Sequence, residues 1–118
     1  MSIVLKRIYD EPPQLGGHRI LIDRIWPRGI SKEDVNLDEW MKEITPSPHL
    51  RKWFNHEQEK FEEFKKAYKE ELNQDDEKQK KLRELKKMSA NERLVLLYGA
   101  KDKQYNHAVV LKEVLDDM

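Results

Sequence analysis

The sequence predicts an α/β domain: a small, mainly parallel sheet of about three strands covered by several helices. Three observations lead there. The runs Ile3–Tyr9, His18–Ile25 and Arg93–Tyr98 are short and rich in β-branched, leucine and tyrosine residues, as strands are. The last of them is almost continuously apolar, which suits a strand covered on both faces. Several segments of helical periodicity separate the second run from the third, enough for a parallel pairing with a helical crossover. The chain has 118 residues and reads as one domain over 1–118.

Taken in order, Ile3–Tyr9 is the first strand. Asp10-Glu-Pro-Pro-Gln-Leu-Gly-Gly17 is a loop, because its prolines and glycines forbid regular structure. It is short for a helical crossover, so strands one and two are either antiparallel or not adjacent. In strand two, Ile20, Ile22 and Arg24 share one side, and Leu21, Asp23 and Ile25 the other. Pro27 stops it. Ser31-Lys-Glu-Asp34 has capping-box spacing and starts a helical turn. Leu37, Trp40, Met41 and Ile44 lie at helical spacing, with Asp38 a second candidate cap, and Thr45-Pro46 ends that helix.

Ser47-Pro48 starts another helix, with serine as N-cap and proline at the first helical position. Its apolar face is Leu50, Trp53 and Phe54. The longest helix runs from Glu57 to about Asn73, with Phe61, Phe64, Tyr68 and Leu72 inward. Gln74-Asp-Asp76 breaks it. Lys78 to about Met88 is amphipathic, burying Leu82, Leu85 and Met88. After strand three, Lys101–Tyr105 is a loop, and Asn106 caps a last helix whose inward face is Ala108, Leu111, Val114 and Leu115.

Composition narrows the function classes. Hydrophobic residues are 37% and charged residues 39%, and Lys+Arg equals Asp+Glu at 23 each. A net charge of zero argues against gripping nucleic acid by bulk electrostatics. With no cysteine, disulfides, thiol nucleophiles and thiolate metal sites are excluded. The four histidines are scattered, without His-x-His or HExxH spacing, so no metal site is predicted. There is no GxSxG, GxGxxG or P-loop. The first residues become charged too soon for a signal peptide, and no run reaches the length of a membrane span. The expectation is a cytoplasmic protein.

Two strand-end loops carry the chemistry. If strands two and three pair in parallel, both loops lie at carboxyl ends of adjacent strands, where open α/β sheets bind ligands. The first offers Arg24, Trp26 and Arg28: two planar donor forks for a carboxylate or phosphate, and a ring for stacking. The second, Tyr98-Gly-Ala-Lys-Asp102, offers Lys101, followed by a helix start at Asn106 and His107 that favours an anion. Candidate ligand-binding residues are Arg19, Arg24, Trp26, Arg28, Lys101 and Asn106. Candidate proton carriers are Asp102 and His107, and Asp23 either orients the cations or acts as a base. The structural alternative is that the arginines merely pair with neighbouring carboxylates and Trp26 plugs the core.

Arg19-Ile-Leu-Ile-Asp-Arg-Ile-Trp-Pro-Arg-Gly29, Trp40-Met-Lys-Glu-Ile-Thr-Pro-Ser47, Leu50-Arg-Lys-Trp-Phe54 and Leu96-Leu-Tyr-Gly-Ala-Lys-Asp102 with Asn106-His-Ala108 closely resemble the YeaO-like branch of the DUF 488 family, in the same order along nearly the whole chain. The resemblance implies a fold and site positions, and no settled activity or cofactor. Broader relatives follow the last strand with a Glu-Lys-Asp loop and a Cys-His-Arg helix start. Lys101, Asp102 and His107 fit that pattern, whereas the cysteine and arginine are absent, so thiol chemistry does not transfer. Neither a basic helix-turn-helix nor a methyl-donor glycine loop supports the regulator and methyltransferase labels that some relatives carry. Three readings stay open: a binder of a small anion, whether or not it is also an enzyme; a nucleic-acid-binding accessory protein; and a homodimeric interaction module.

Overall fold

Four parallel strands form the sheet, β1 (Ile3–Arg7), β2 (His18–Leu21), β3 (Glu39–Trp40) and β4 (Leu94–Tyr98), in the spatial order β1-β4-β2-β3. This computed structural model describes residues 3–10 and 16–118. Of the two arrangements open for strands one and two, non-adjacency holds. The apolar β4 lies between them and all five of its residues are buried. Residues 11–15 of the expected proline–glycine loop lie outside the described residues. Gly17 enters β2 at φ 122°, and a Cβ there would sit 2.7 Å from the Arg93 carbonyl oxygen, so only glycine fits the approach to β4.

The two faces of the sheet bury different partners. Ile20, Ile22, Leu94 and Leu96 join the main core with α3 (Phe61–Gln74), α4 (Asp76–Asn91) and α5 (His107–Asp116). Leu21, Val95 and Leu97 join a smaller cluster closed by Val35, Trp26 and Trp40. The period-2 alternation expected for strand two is thus borne out at Ile20, Leu21 and Ile22, although regular pairing stops at Leu21 rather than Ile25. Phe61, Phe64, Tyr68 and Leu72 are all buried on α3, as their spacing predicts.

The helix expected across Leu37–Ile44 does not form. Glu39–Trp40 pairs with Ile20–Leu21 as β3, followed by a 3-10 turn at Lys42–Ile44. The physical reason is the open edge of β2. Asp38 N–H donates to the Arg19 carbonyl, Met41 N–H donates to the Leu21 carbonyl, and the Asp38 carboxylate accepts from Arg19 N–H rather than capping a helix. Ser31 precedes a one-turn helix, α1 (Lys32–Val35), and makes no side-chain cap. The Asp34 side chain lies outside the described residues.

Ser47 caps α2 (Pro48–Phe54) as predicted, accepting from Leu50 N–H. Trp53, expected inward, is 38% exposed with Lys60 Nζ over its ring. The long helix predicted from Glu57 starts instead at Phe61 after a 3-10 turn over Gln58–Lys60, and α4, with 16 residues, is longer than α3, with 14. Asp75 starts α4 earlier than Lys78 because its carboxylate accepts from Glu77 and Lys78 N–H. Asn106 caps α5 by accepting from Val109 N–H. No helix among the described residues is long and apolar enough to cross a membrane.

Three bonds hold α2 and the preceding turn against α3. The Glu71 carboxylate accepts from both N–H and hydroxyl of Ser47, at 2.9 and 2.7 Å. The Tyr68 hydroxyl donates to the Ile44 carbonyl at 2.5 Å. Burial, reinforced by the negative charge of Glu71, pushes the Tyr68 phenol far above its ordinary pKa, so it stays a neutral donor. Tyr68→Phe deprives a buried carbonyl of this donor. It is expected to lower stability by about 1–3 kcal/mol, read as a lower urea midpoint with an unchanged slope.

Candidate functional site

The site begins where β2 and β4 end. Ile22 N–H still donates to the Leu97 carbonyl at 3.0 Å, which keeps the two chains side by side past the last paired residues. Asp23 then lies beside Gly99, whose N–H donates to Asp23 Oδ2 at 2.8 Å. A Cβ on Gly99 would be 2.9 Å from that oxygen, so the contact requires glycine. The Asn106 cap sets His107 at the first turn of α5. His107 Nε2 lies 2.6 Å from the Ile22 carbonyl oxygen and 3.3 Å from Asp23 Oδ1. A carbonyl only accepts, so Nε2 carries the hydrogen.

These residues form one end of a cavity of about 420 Å³. Its other polar lining comes from Tyr9, Arg24, Thr45 and, across the cleft on and after α2, from Arg51, Lys52, Asn55 and His56. Ile25, Pro27, Pro46, Pro48, Phe54 and Phe64 make it apolar elsewhere. The α2 wall is rigidly mounted, because the Phe54 and Phe64 rings stack at 4.2 Å and 16°.

The charges are lopsided. Three permanent cations (Arg24, Arg51 and Lys52) face one carboxylate, Asp23, which is already engaged by Gly99 and His107. Neither the Arg24 nor the Arg51 guanidinium has an acceptor among the described residues. Each also keeps one nitrogen, Arg24 Nε and Arg51 Nη1, sealed from solvent without a partner. A buried donor left unpaired costs about 1–3 kcal/mol, more when charged, and both belong to side chains that line the one cavity. Asn55 and His56 are both left-handed, at φ 47° and 56°. For histidine this is a strained backbone state, of the kind found at ligand sites.

Of the residues singled out from sequence, the cavity gathers Arg24, Asn106 and His107, with Asp23. Arg19 is corrected. It is buried, and its guanidinium donates to the carbonyls of Asn36 and Val35, closing the loop beyond α1. Trp26 lies outside the cavity likewise: its ring packs edge-on against Trp40 at 5.2 Å and its Nε1–H donates to the Ile30 carbonyl, on the other face of the sheet. Arg28 is exposed outside the cavity lining, its carbonyl accepting from the Tyr9 hydroxyl. Lys101 and Asp102 are exposed too, and Asp102 Oδ1 accepts from Gln104 and Tyr105 N–H to shape the turn. Sequence reasoning missed Arg51, Lys52 and His56. The only local signal was a short, well-capped helix with two adjacent cations on its polar side. Among the described residues, no group of three or more His, Asp or Glu is arranged to hold a metal ion.

Gly99→Ala forces a methyl group against Asp23 Oδ2. It is expected to cost about 1–3 kcal/mol and to move the His107 imidazole resonances in an NMR spectrum. Gly16→Ala, where an added Cβ meets nothing within 4 Å, is the neutral control.

The chain matches, over residues 2–118, a family described as "Inactive DUF488-N3 subclade". It is 48% identical to the protein called "Uncharacterized protein YeaO" of Escherichia coli (strain K12), over 98% of this chain and 97% of that one. It is 36% identical to Rv3073c of Mycobacterium tuberculosis (strain ATCC 25618 / H37Rv) and to Mb3100c of Mycobacterium bovis (strain ATCC BAA-935 / AF2122/97), in each case over 93% of this chain and 90% of the relative. No solved structure matches the chain.

Proposed function

This chain belongs to the DUF488 family, and on that premise we propose that it is a cytoplasmic protein that binds a small anionic ligand in the cleft beyond β2 and β4. The observation that carries the proposal is the pair of guanidiniums, Arg24 after β2 and Arg51 on α2, which line one cavity and lack any protein acceptor among the described residues. A phosphate or carboxylate in the cleft supplies acceptors to the nitrogens of these guanidiniums that solvent reaches, and charge-assisted bonds to a guanidinium are the strong ones. Asp23 and His107 stand at the carboxyl-terminal end of the parallel strands, where ligands of open α/β sheets sit. The subclade's description as inactive supports holding a ligand over transforming one. The nucleic-acid reading leaned on Trp26 as a stacking ring, and that ring packs edge-on against Trp40 on the face of the sheet away from the cavity.

The test is a thermal-shift screen of the purified protein against phosphates, carboxylates and short oligonucleotides at low and high salt. A ligand that binds only the folded state raises the melting temperature with its concentration over its affinity. The expected result is a salt-resistant shift from a small anion. Arg24→Ala and Arg51→Ala each remove a charged donor worth about 1.5–3 kcal/mol. They are expected to weaken binding about ten- to hundredfold, while Arg28→Ala and Lys101→Ala change it little. A salt-sensitive shift from oligonucleotides alone would overturn the proposal.

A further inference from the structure

Resting on that reading, we propose the ligand's chemical class: a soluble phosphomonoester carried on an apolar or aromatic body, its phosphate held by Arg24, Arg51 and His56. Three features of the cleft point to it. The first is charge. Arg24, Arg51 and Lys52 face a single carboxylate whose oxygens are already bonded to Gly99 N–H and near His107 Nε2. The unbalanced charge is close to two positive, which suits a dianion better than a carboxylate. A phosphate monoester, with a second pKa near about 6, carries that charge at neutral pH.

The second is size and lining. About 420 Å³ falls in the range of small-molecule sites, roughly 300–1,000 Å³, and exceeds what a bare inorganic ion fills. Pro27, Pro46, Pro48, Phe54 and Phe64 line much of the remainder, and burying an apolar body against them is favourable. The third is the end of α2. Asn55 and His56 are consecutive left-handed residues, and they carry a histidine to the cleft at a conformational cost that glycine would avoid. Its ring lies 6.3 Å from that of Phe54, between the cationic and the apolar walls.

The experiment is calorimetric titration of the full chain at pH 8, where phosphate is dianionic, with phenyl phosphate, inorganic phosphate and benzoate as probes. The expected order is phenyl phosphate at least tenfold tighter than either of the others, with its binding lost in Arg51→Ala. His56→Gly keeps the backbone geometry and relieves the strain. It is expected to raise the melting temperature while weakening phenyl phosphate several-fold. Inorganic phosphate binding as tightly as phenyl phosphate would overturn the apolar body and leave the anion site standing. Benzoate matching phenyl phosphate would overturn the dianion. Unchanged binding in His56→Gly would remove histidine from the phosphate site. Absence of binding by all three probes would overturn both this inference and the anion reading beneath it.

Discussion

The parallel pairing of β2 with β4 is the constraint on which the rest of the molecule depends. Its register sets His18 opposite Leu94 and Leu21 opposite Leu97, and Ile22 N–H carries the ladder one residue further. Asp23 and Gly99 therefore meet just beyond the sheet, and α5 begins close enough for His107 to reach both Ile22 and Asp23. A slip of one residue would send Ile20 and Ile22 to the tryptophan side and Leu21 to the aromatic side, exchanging two faces of different depth. Packing on both faces forbids that slip, so the geometry beyond the strands is inherited from the core.

The two faces do different work with similar residues. On the deep side, aromatic rings run from α2 into α3, and the Phe54–Phe64 stack keeps Arg51 over the cleft. On the shallow side, Trp26 and Trp40 close the small cluster, and each indole N–H is used on a backbone carbonyl, of Ile30 and Asp23 respectively. Arg19 is buried there among carbonyl acceptors, the environment a desolvated guanidinium needs. Arg24 and Arg51 are the contrast. They have the same functional group, partly removed from water, without such acceptors among the described residues.

Native chains satisfy local rules almost everywhere and break them where function requires it. Here the capping, turn and packing rules hold along α2 up to Phe54, with Ser47 and Glu71 at one end and the aromatic stack at the other. Asn55 then closes α2 as a left-handed C-cap, its N–H donating to the Arg51 carbonyl, and the rules fail beyond it, at left-handed His56 and at the guanidiniums of Arg24 and Arg51. All three residues line the same cavity.

Much was legible in the sequence because it is local chemistry. Alternation marked the two faces of β2, continuous apolarity marked β4 as a strand covered on both faces, and Ser47-Pro48 and Asn106 announced their helices. The family was legible too, from blocks kept in order along the chain. Arg24, Asn106 and His107 were found for the same reason, since each sits beside a strand end or a helix cap. Tertiary structure alone decided the rest. Whether Glu39–Trp40 would be helix or strand depended on the free edge of β2, which no local pattern contains. Whether Trp26 and Arg19 would face a ligand or the core depended on which side of the sheet the loop beyond β2 folded over. Arg51, Lys52 and His56 reach the cleft only because α3 carries α2 across it, and a helix's own periodicity says which side is apolar but not what its polar side will confront.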